Sequence, residues 1–109
     1  MPRLMDLAAV IRSKNAGPYE ITFDIIFDDP ELYEKVKRTG VINRELFARL
    51  YHVPLERVSF TAYDAAFAFK GTLPRRVSAG DAGDTDVYGA QQHAPLLSVE
   101  VPIDVAQEG

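Results

Sequence analysis

The sequence has 109 residues, which is enough for one domain and too few for a two-domain enzyme. It contains no cysteine, which excludes a thiol nucleophile, a Cys-ligated zinc or iron–sulfur site and a disulfide-built secreted module. Hydrophobic residues make up 47% and charged residues 26%, as in a folded globular protein. Because no apolar run is long enough to cross a membrane and the first residues lack a signal-peptide pattern, we expect a cytoplasmic protein with no membrane partner.

Charge is unevenly distributed along the chain. The formal net charge of −4 argues against duplex nucleic acid as a partner, because such binding depends on neutralising phosphates. All 12 Lys and Arg residues lie within residues 1–76, whereas residues 77–109 carry only acidic charges. Segregation of this kind favours a ligand or partner that contacts one end of the molecule, and a solvated acidic tail is the alternative interpretation.

The first half of the chain predicts one strand and three helices. Leu4, Leu7, Ala8 and Ile11 share one helical face, so residues 4–12 are predicted as a short amphipathic helix. Strict alternation predicts a strand over residues 20–27. The Asp-Asp-Pro-Glu start at residues 28–31 and Gly40 predict a helix over residues 30–39, and a second helix follows over residues 44–51 with Asn43 as its N-cap.

The second half predicts strands and a long polar loop. Residues 57–63 and 66–73 alternate and are predicted as a β-hairpin, and the two preceding helices suit a crossover between parallel strands. Residues 75–95 form a long loop, and residues 96–103 are predicted as the final strand, at an edge because of Pro102. We therefore expect a single domain over residues 1–109 of class α+β (or α/β), with an approximately four-stranded mixed sheet and two to three helices mostly on one face.

The long loop contains the candidate catalytic residues. His93 could act as a general base assisted by Asp84 or Asp86, because its unperturbed pKa lies near neutrality. The same three side chains suit a divalent metal, but their spacing matches no metal-loop pattern, so we assign no metal ligand. The alternative is a structural role, in which the aspartates accept hydrogen bonds from backbone N–H groups of the loop. The neighbouring side chains would then hold the loop against the sheet or against another subunit. We assign Tyr88, Gln91 and Gln92 to this interaction loop.

A second group of candidates is cationic. The segment at residues 12–18 combines Arg12, Lys14 and Asn15 in a predicted turn, and a second basic group surrounds Pro74. If the two groups meet in space, they form an anion site, since guanidinium groups bind carboxylate and phosphate with two parallel hydrogen bonds. Ordinary surface charge with partial ion pairing is the alternative. The second group comprises Lys70, Arg75 and Arg76.

Three segments resemble a known family. They are residues 12–18 (RSKNAGP), residues 27–30 (FDDP) and above all residues 83–97 (GDTDVYGAQQHAPLL). Together they resemble the small domain-of-unknown-function family, number 4387, that occurs beside or fused to proteins similar to acyclic terpene utilisation protein A. The resemblance implies association with such a larger protein in carboxylic-acid or acyl-CoA catabolism, as the small component of a hydratase or lyase, and it implies no catalytic residue.

Two functions remain open at this point. The first is an accessory subunit that binds a larger metabolic protein and contributes to its site for an anionic organic acid or CoA ester. The second is a small acid–base lyase or isomerase that uses His93 with Asp84 or Asp86 as a homo-oligomer. The sequence specifies no cofactor. Under either function we expect the protein to be part of an oligomer.

Overall fold

The computed structural model describes residues 1–17, 19–74 and 94–103. Within them the protein is an α+β fold, as the sequence predicts, with four strands in one sheet and four α-helices. Two 3₁₀ turns, Leu55–Arg57 and Asp64–Ala66, flank the third strand. In chain order the elements are α1 (Leu4–Leu7), β1 (Val10–Asn15), β2 (Glu20–Ile26), α2 (Pro30–Thr39), α3 (Arg44–Tyr51), β3 (Ser59–Tyr63), β4 (Ala68–Pro74) and α4 (Ala94–Leu97).

The strand order is β1-β2-β4-β3, and each neighbouring pair among the described strands is antiparallel. The sheet is therefore antiparallel where a mixed sheet was predicted. The predicted hairpin of β3 and β4 is confirmed. Strands β2 and β3 do run in the same direction, as their two-helix connection predicts, but β4 lies between them and pairs with both.

Helix α2 forms where its start and stop signals predict. The Asp29 carboxylate accepts hydrogen bonds from the backbone N–H groups of Glu31 and Leu32, and Pro30 occupies the first helical position. The helix ends at Gly40, which adopts a left-handed conformation with φ 71°. Helix α3 begins in the same manner, with the Asn43 side chain accepting from the Leu46 N–H. Local capping hydrogen bonds thus determine the residue at which each helix begins.

Two predicted elements are wrong. The predicted helix over residues 4–12 is a single helical turn, α1, followed by β1, because residues from Val10 onwards pair with β2 instead of continuing the helix. The predicted strand over residues 96–103 is replaced by α4 and an isolated antiparallel bridge between Arg3 and Glu100.

The hydrophobic core lies on one face of the sheet, which we call the inner face. Here the odd-numbered residues of β2 pack against buried side chains from all four α-helices. Aromatic rings dominate the layer: Phe23 contacts Phe47 and Tyr51, and Tyr33 contacts Phe27 and Phe69. Among the residues described, no helix has the length and apolar character to cross a lipid bilayer.

Candidate anion-binding face of the sheet

The opposite face of the sheet, the outer face, carries polar and charged side chains in ordered rows. Strand alternation turns the even-numbered residues of β1, β2 and β4 and the odd-numbered residues of β3 to this face. The register defines two adjacent rows across the four strands, which together we call the polar band. The rows are Arg12–Asp24–Lys70–Thr61 and Lys14–Thr22–Thr72–Ser59.

Within the first row, Arg12 pairs with Asp24. The Arg12 Nε donates to Asp24 Oδ2 at 3.1 Å, while 59% of the Arg12 side chain and only 14% of the Asp24 side chain stay exposed. Asp24 is therefore neutralised at the base of the face, and the rest of the Arg12 guanidinium faces solvent. On the other side of Asp24, the Lys70 ammonium lies 6.0 Å from the centre of the Tyr63 ring.

The second row supplies hydroxyl groups. Thr22 and Thr72 share a hydrogen bond of 3.1 Å between their Oγ1 atoms, and Lys14 and Ser59 stand at the two ends of the row. Glu20 lies beyond this row on the same face. Three cations against the carboxylates of Asp24 and Glu20 leave the outer face with one net positive charge. Thr22 is buried, so the groups that can reach a carboxylate or phosphate are the cations and the hydroxyls of Thr72 and Ser59.

The band also has an apolar margin. In the row next to Arg12 and Asp24, Val10 is 41% and Tyr63 is 49% exposed, at opposite edges of the sheet. An anionic ligand with an apolar part, or a partner surface of mixed character, could therefore contact charge and apolar surface at once.

The predicted cationic segment is divided by the strand that it forms. Arg12 and Lys14 lie on the outer face, whereas Ser13 and Asn15 alternate to the inner face, where Ser13 is buried. The structure does bring Lys70 of the second cationic group onto the same face as Arg12 and Lys14. Sequence reasoning missed the contributions of the band's acceptor and hydroxyl side chains, because their alignment depends on strand order. These are Asp24, Thr22 and Thr72.

The remaining predicted site residues lie outside the residues that the structure describes. Convergence of the early basic segment with the Gln-Gln-His segment therefore stays a prediction. Across residues 1–17, 19–74 and 94–103, no three His, Asp or Glu side chains form a possible metal site. The residues outside the described ranges are Arg75, Arg76, Asp84, Asp86, Tyr88, Gln91, Gln92 and His93.

A second polar cluster joins α2 to the turn between β3 and β4. Asp64 Oδ1 accepts from the Tyr33 hydroxyl at 2.6 Å and from the Lys37 ammonium at 2.8 Å. The hydrogen bonds that Lys37 and Tyr33 donate lower the pKa of the Asp64 carboxyl. Burial, together with the hydrogen bond to Asp64, raises the pKa of the Tyr33 hydroxyl. The same hydrogen bond to Asp64 raises the pKa of the Lys37 ammonium. Tyr33 is fully buried, whereas Lys37 and Asp64 stay partly exposed. The cluster therefore fixes the helix against the hairpin from the edge of the core.

A surface groove lies where α3 meets the chain around α4. Its volume is about 440 Å³, and its walls include Val41, Leu50 and Val99, with Arg49 and Glu100 also lining it. Arg49 and Glu100 carry opposite charges, so these two side chains together give the groove no excess of positive charge for an anion. The polar band is therefore the stronger candidate site.

The fold and the polar band together define a small α+β domain with one helix-covered face and one cationic face. The chain matches the family described as "Domain of unknown function (DUF4387)" over residues 4–100, and it belongs to that family. Comparison with curated proteins and with solved structures gave no significant match.

Proposed function

We propose that the protein is an accessory domain that associates with a larger metabolic protein, similar to acyclic terpene utilisation protein A, and binds an anionic group on its outer sheet face. The observation that carries the proposal is the alignment of Arg12, Lys14 and Lys70 on one face of three adjacent strands. The anionic group belongs to an organic acid or its CoA ester, and the domain completes a hydratase- or lyase-type site.

The arrangement of the band supports anion binding better than a general surface charge would. Neighbouring strands are about 4.8 Å apart, so Arg12 and Lys70, two strands from each other, are separated by about 10 Å between Cα atoms. This span suits one carboxylate or phosphate group held between long side chains above the Thr22–Thr72 pair. Asp24 is already occupied by Arg12, which reduces its repulsion of such a ligand.

Association with a larger protein is supported by different features. Among the described residues, the outer face exposes the charged side chains of Arg12 and Lys14 to a partner. A second surface that closes over the band would exclude water and strengthen its charge-assisted hydrogen bonds. The partner is proposed from the resemblance alone, as a larger protein similar to acyclic terpene utilisation protein A.

Anion binding is tested by titrating the protein with citrate and with acetyl-coenzyme A, using calorimetry at constant ionic strength. We expect Lys14→Ala and Lys70→Ala together to weaken binding by about tenfold or more, since one lost charge-assisted hydrogen bond costs about 1.5–3 kcal/mol. The matched control is Arg38→Ala, which removes a cation from α2. Equal weakening by the control, or none by the pair, would refute the site.

Association is tested by co-expressing the chain with the larger protein and purifying through a tag on either one. We expect a stable complex between the two proteins. Its yield should fall when Lys70→Glu reverses one charge of the polar band, because a charge that no longer complements the partner surface slows association. A chain that never co-purifies under gentle conditions contradicts the proposed partner, while leaving the calorimetric result to decide on the anion site.

A further inference from the structure

Strand β3 is an edge strand with features that favour pairing. Among the described residues, β3 pairs with β4 on one side only. Natural edge strands are protected by charged residues, proline or bulges, because their unpaired N–H and C=O groups bind other strands. The segment Ser59–Tyr63 (SFTAY) contains no charged residue and no proline. By contrast β1, the other edge, carries Arg12 and Lys14.

The hydrogen-bond ladder shows which groups of β3 face outward. The Phe27 N–H donates to the Phe67 carbonyl at 2.8 Å. These two residues lie one position beyond the paired ends of β2 and β4 and continue their register as a hydrogen-bonded pair. Such pairs recur at every second position of an antiparallel ladder, so the odd-numbered residues of β4 bond to β2 and its even-numbered residues bond to β3. Because Lys70 faces Thr61, the alternate β3 residues Phe60 and Ala62 direct their N–H and C=O groups away from the sheet.

We infer that β3 pairs with β3 of a second copy of this chain to form a symmetric antiparallel dimer centred on Thr61. In this register Phe60 of each copy lies opposite Ala62 of the other, and the four outward N–H and C=O groups of each strand all find partners. A register centred on Phe60 would instead place Ala62 opposite Val58, whose N–H is already bonded to the Leu55 carbonyl. The register centred on Thr61 therefore satisfies all the outward groups of Phe60 and Ala62, whereas the register centred on Phe60 leaves the Ala62 carbonyl without a donor.

Side chains on both faces suit this pairing. On the inner face Phe60 is half-buried and contacts Phe47 and Phe69, so pairing would extend the aromatic core across the two copies. On the outer face Thr61 would meet its own copy, a favourable cross-strand pair. In the 3₁₀ turns beyond the strand ends, Arg57 of one copy lies diagonally across from Asp64 of the other. Asp64 bonds to Lys37 but keeps 61% of its side chain exposed, so the flanking charges are opposite in sign.

The dimer joins the outer faces as well as the strands. Antiparallel edge pairing requires a twofold axis perpendicular to the sheet, so the outer faces of both copies point in the same direction. The two polar bands then form one continuous surface across an eight-stranded sheet. This assembly does not depend on what the polar band binds.

The first test is the mass of the full chain in solution, measured by light scattering over a concentration series. We expect a dimer for the wild-type chain and a twofold lower mass for Thr61→Lys, which places like charges at the axis, and for Ala62→Pro, which removes an outward N–H. Val10→Lys is the control, since it places the same charge on the exposed outer face of β1. Circular dichroism verifies that each variant is folded.

The second test uses the absence of cysteine in the chain. Opposed residues at a non-hydrogen-bonded site have Cα atoms about 4.5 Å apart, which is within the range of a disulfide. Thr61→Cys should therefore form a disulfide-linked dimer under mild oxidation, whereas Val10→Cys should not. A wild-type monomer at all concentrations, or a dimer that is disrupted by Val10→Lys and not by Thr61→Lys, would overturn the inference.

Discussion

At the scale of single residues, Gly71 shows how tightly β4 packs against α3. A Cβ atom at this position would lie 2.9 Å from Cζ of Phe47 and 3.0 Å from its Cε2. The Phe47 ring cannot move away easily, because it is fully buried between Phe23 and Phe60. We therefore expect Gly71→Ala to lower the free energy of unfolding by about 1–3 kcal/mol, as measured by urea denaturation.

A double-mutant cycle separates this clash from the general effect of the substitution on a strand. Phe47→Leu is destabilising alone because it removes buried ring atoms, but it should restore part of the stability lost in Gly71→Ala. If the two costs simply add, the contact between Gly71 and Phe47 does not limit the size of residue 71.

The polar band is also a residue-scale feature, and only part of it could be predicted from the sequence. The basic residues were evident, but a local pattern placed Arg12, Lys14 and Asn15 together in a turn. In a strand the side-chain direction reverses at every residue, so Asn15 points away from the other two. The alignment of Lys70 with Asp24 depends on β4 lying between β2 and β3, and no local pattern encodes that strand order.

At the scale of elements, the cluster of Tyr33, Lys37 and Asp64 ties α2 to the β3–β4 turn and makes stability depend on pH. Because the folded state lowers the pKa of Asp64, its contribution is present above the ordinary carboxyl pKa and is lost as pH falls towards the lowered value. The raised pKa values of Tyr33 and Lys37 act in the opposite range, where stability is lost as pH rises above about 10.

We expect Asp64→Asn to flatten the fall in thermal midpoint between neutral pH and about pH 3, since the asparagine side chain does not titrate. Tyr33→Phe should give an intermediate slope, because it removes one of the two hydrogen bonds that favour the carboxylate. Identical acid slopes in the wild-type chain and Asp64→Asn would show that Asp64 is not coupled to folding.

Elements with strong local signals could be predicted, and elements defined by distant pairing could not. The caps of α2 and the alternation of β2 are local, so both bounds were predicted closely. Residues 4–12 satisfy a helical spacing, but the same positions also place Ile11 on the inner face of a strand. Pairing with β2 decides between these states, and that contact is invisible to a local pattern.

At the scale of the whole molecule, the two ends of the described chain complete the helical side of the core together. The Leu4 N–H donates to the Val99 carbonyl at 2.7 Å, and the Val101 N–H donates to the Pro2 carbonyl at 2.9 Å. Leu4, Leu96 and Val101 are all fully buried. The segment that was predicted as a final strand therefore supplies core residues from a helical turn and an extended segment instead.

Because the two ends of the described chain pack together in the core, we expect the segment around α4 to be required for global stability. Leu96→Ala should lower the free energy of unfolding by about 2–5 kcal/mol, because it creates a cavity at a fully buried site far along the chain from the sheet. Leu55→Ala is the matched control at a leucine that is 38% exposed, and it should cost less than about 1 kcal/mol.

Urea denaturation followed by tyrosine fluorescence and by circular dichroism should give coincident transitions for both variants, since the sheet and α4 share one core. A separate early transition in Leu96→Ala, with the sheet signal unchanged, would mean that α4 and the bridge to Arg3 fold as an independent appendage.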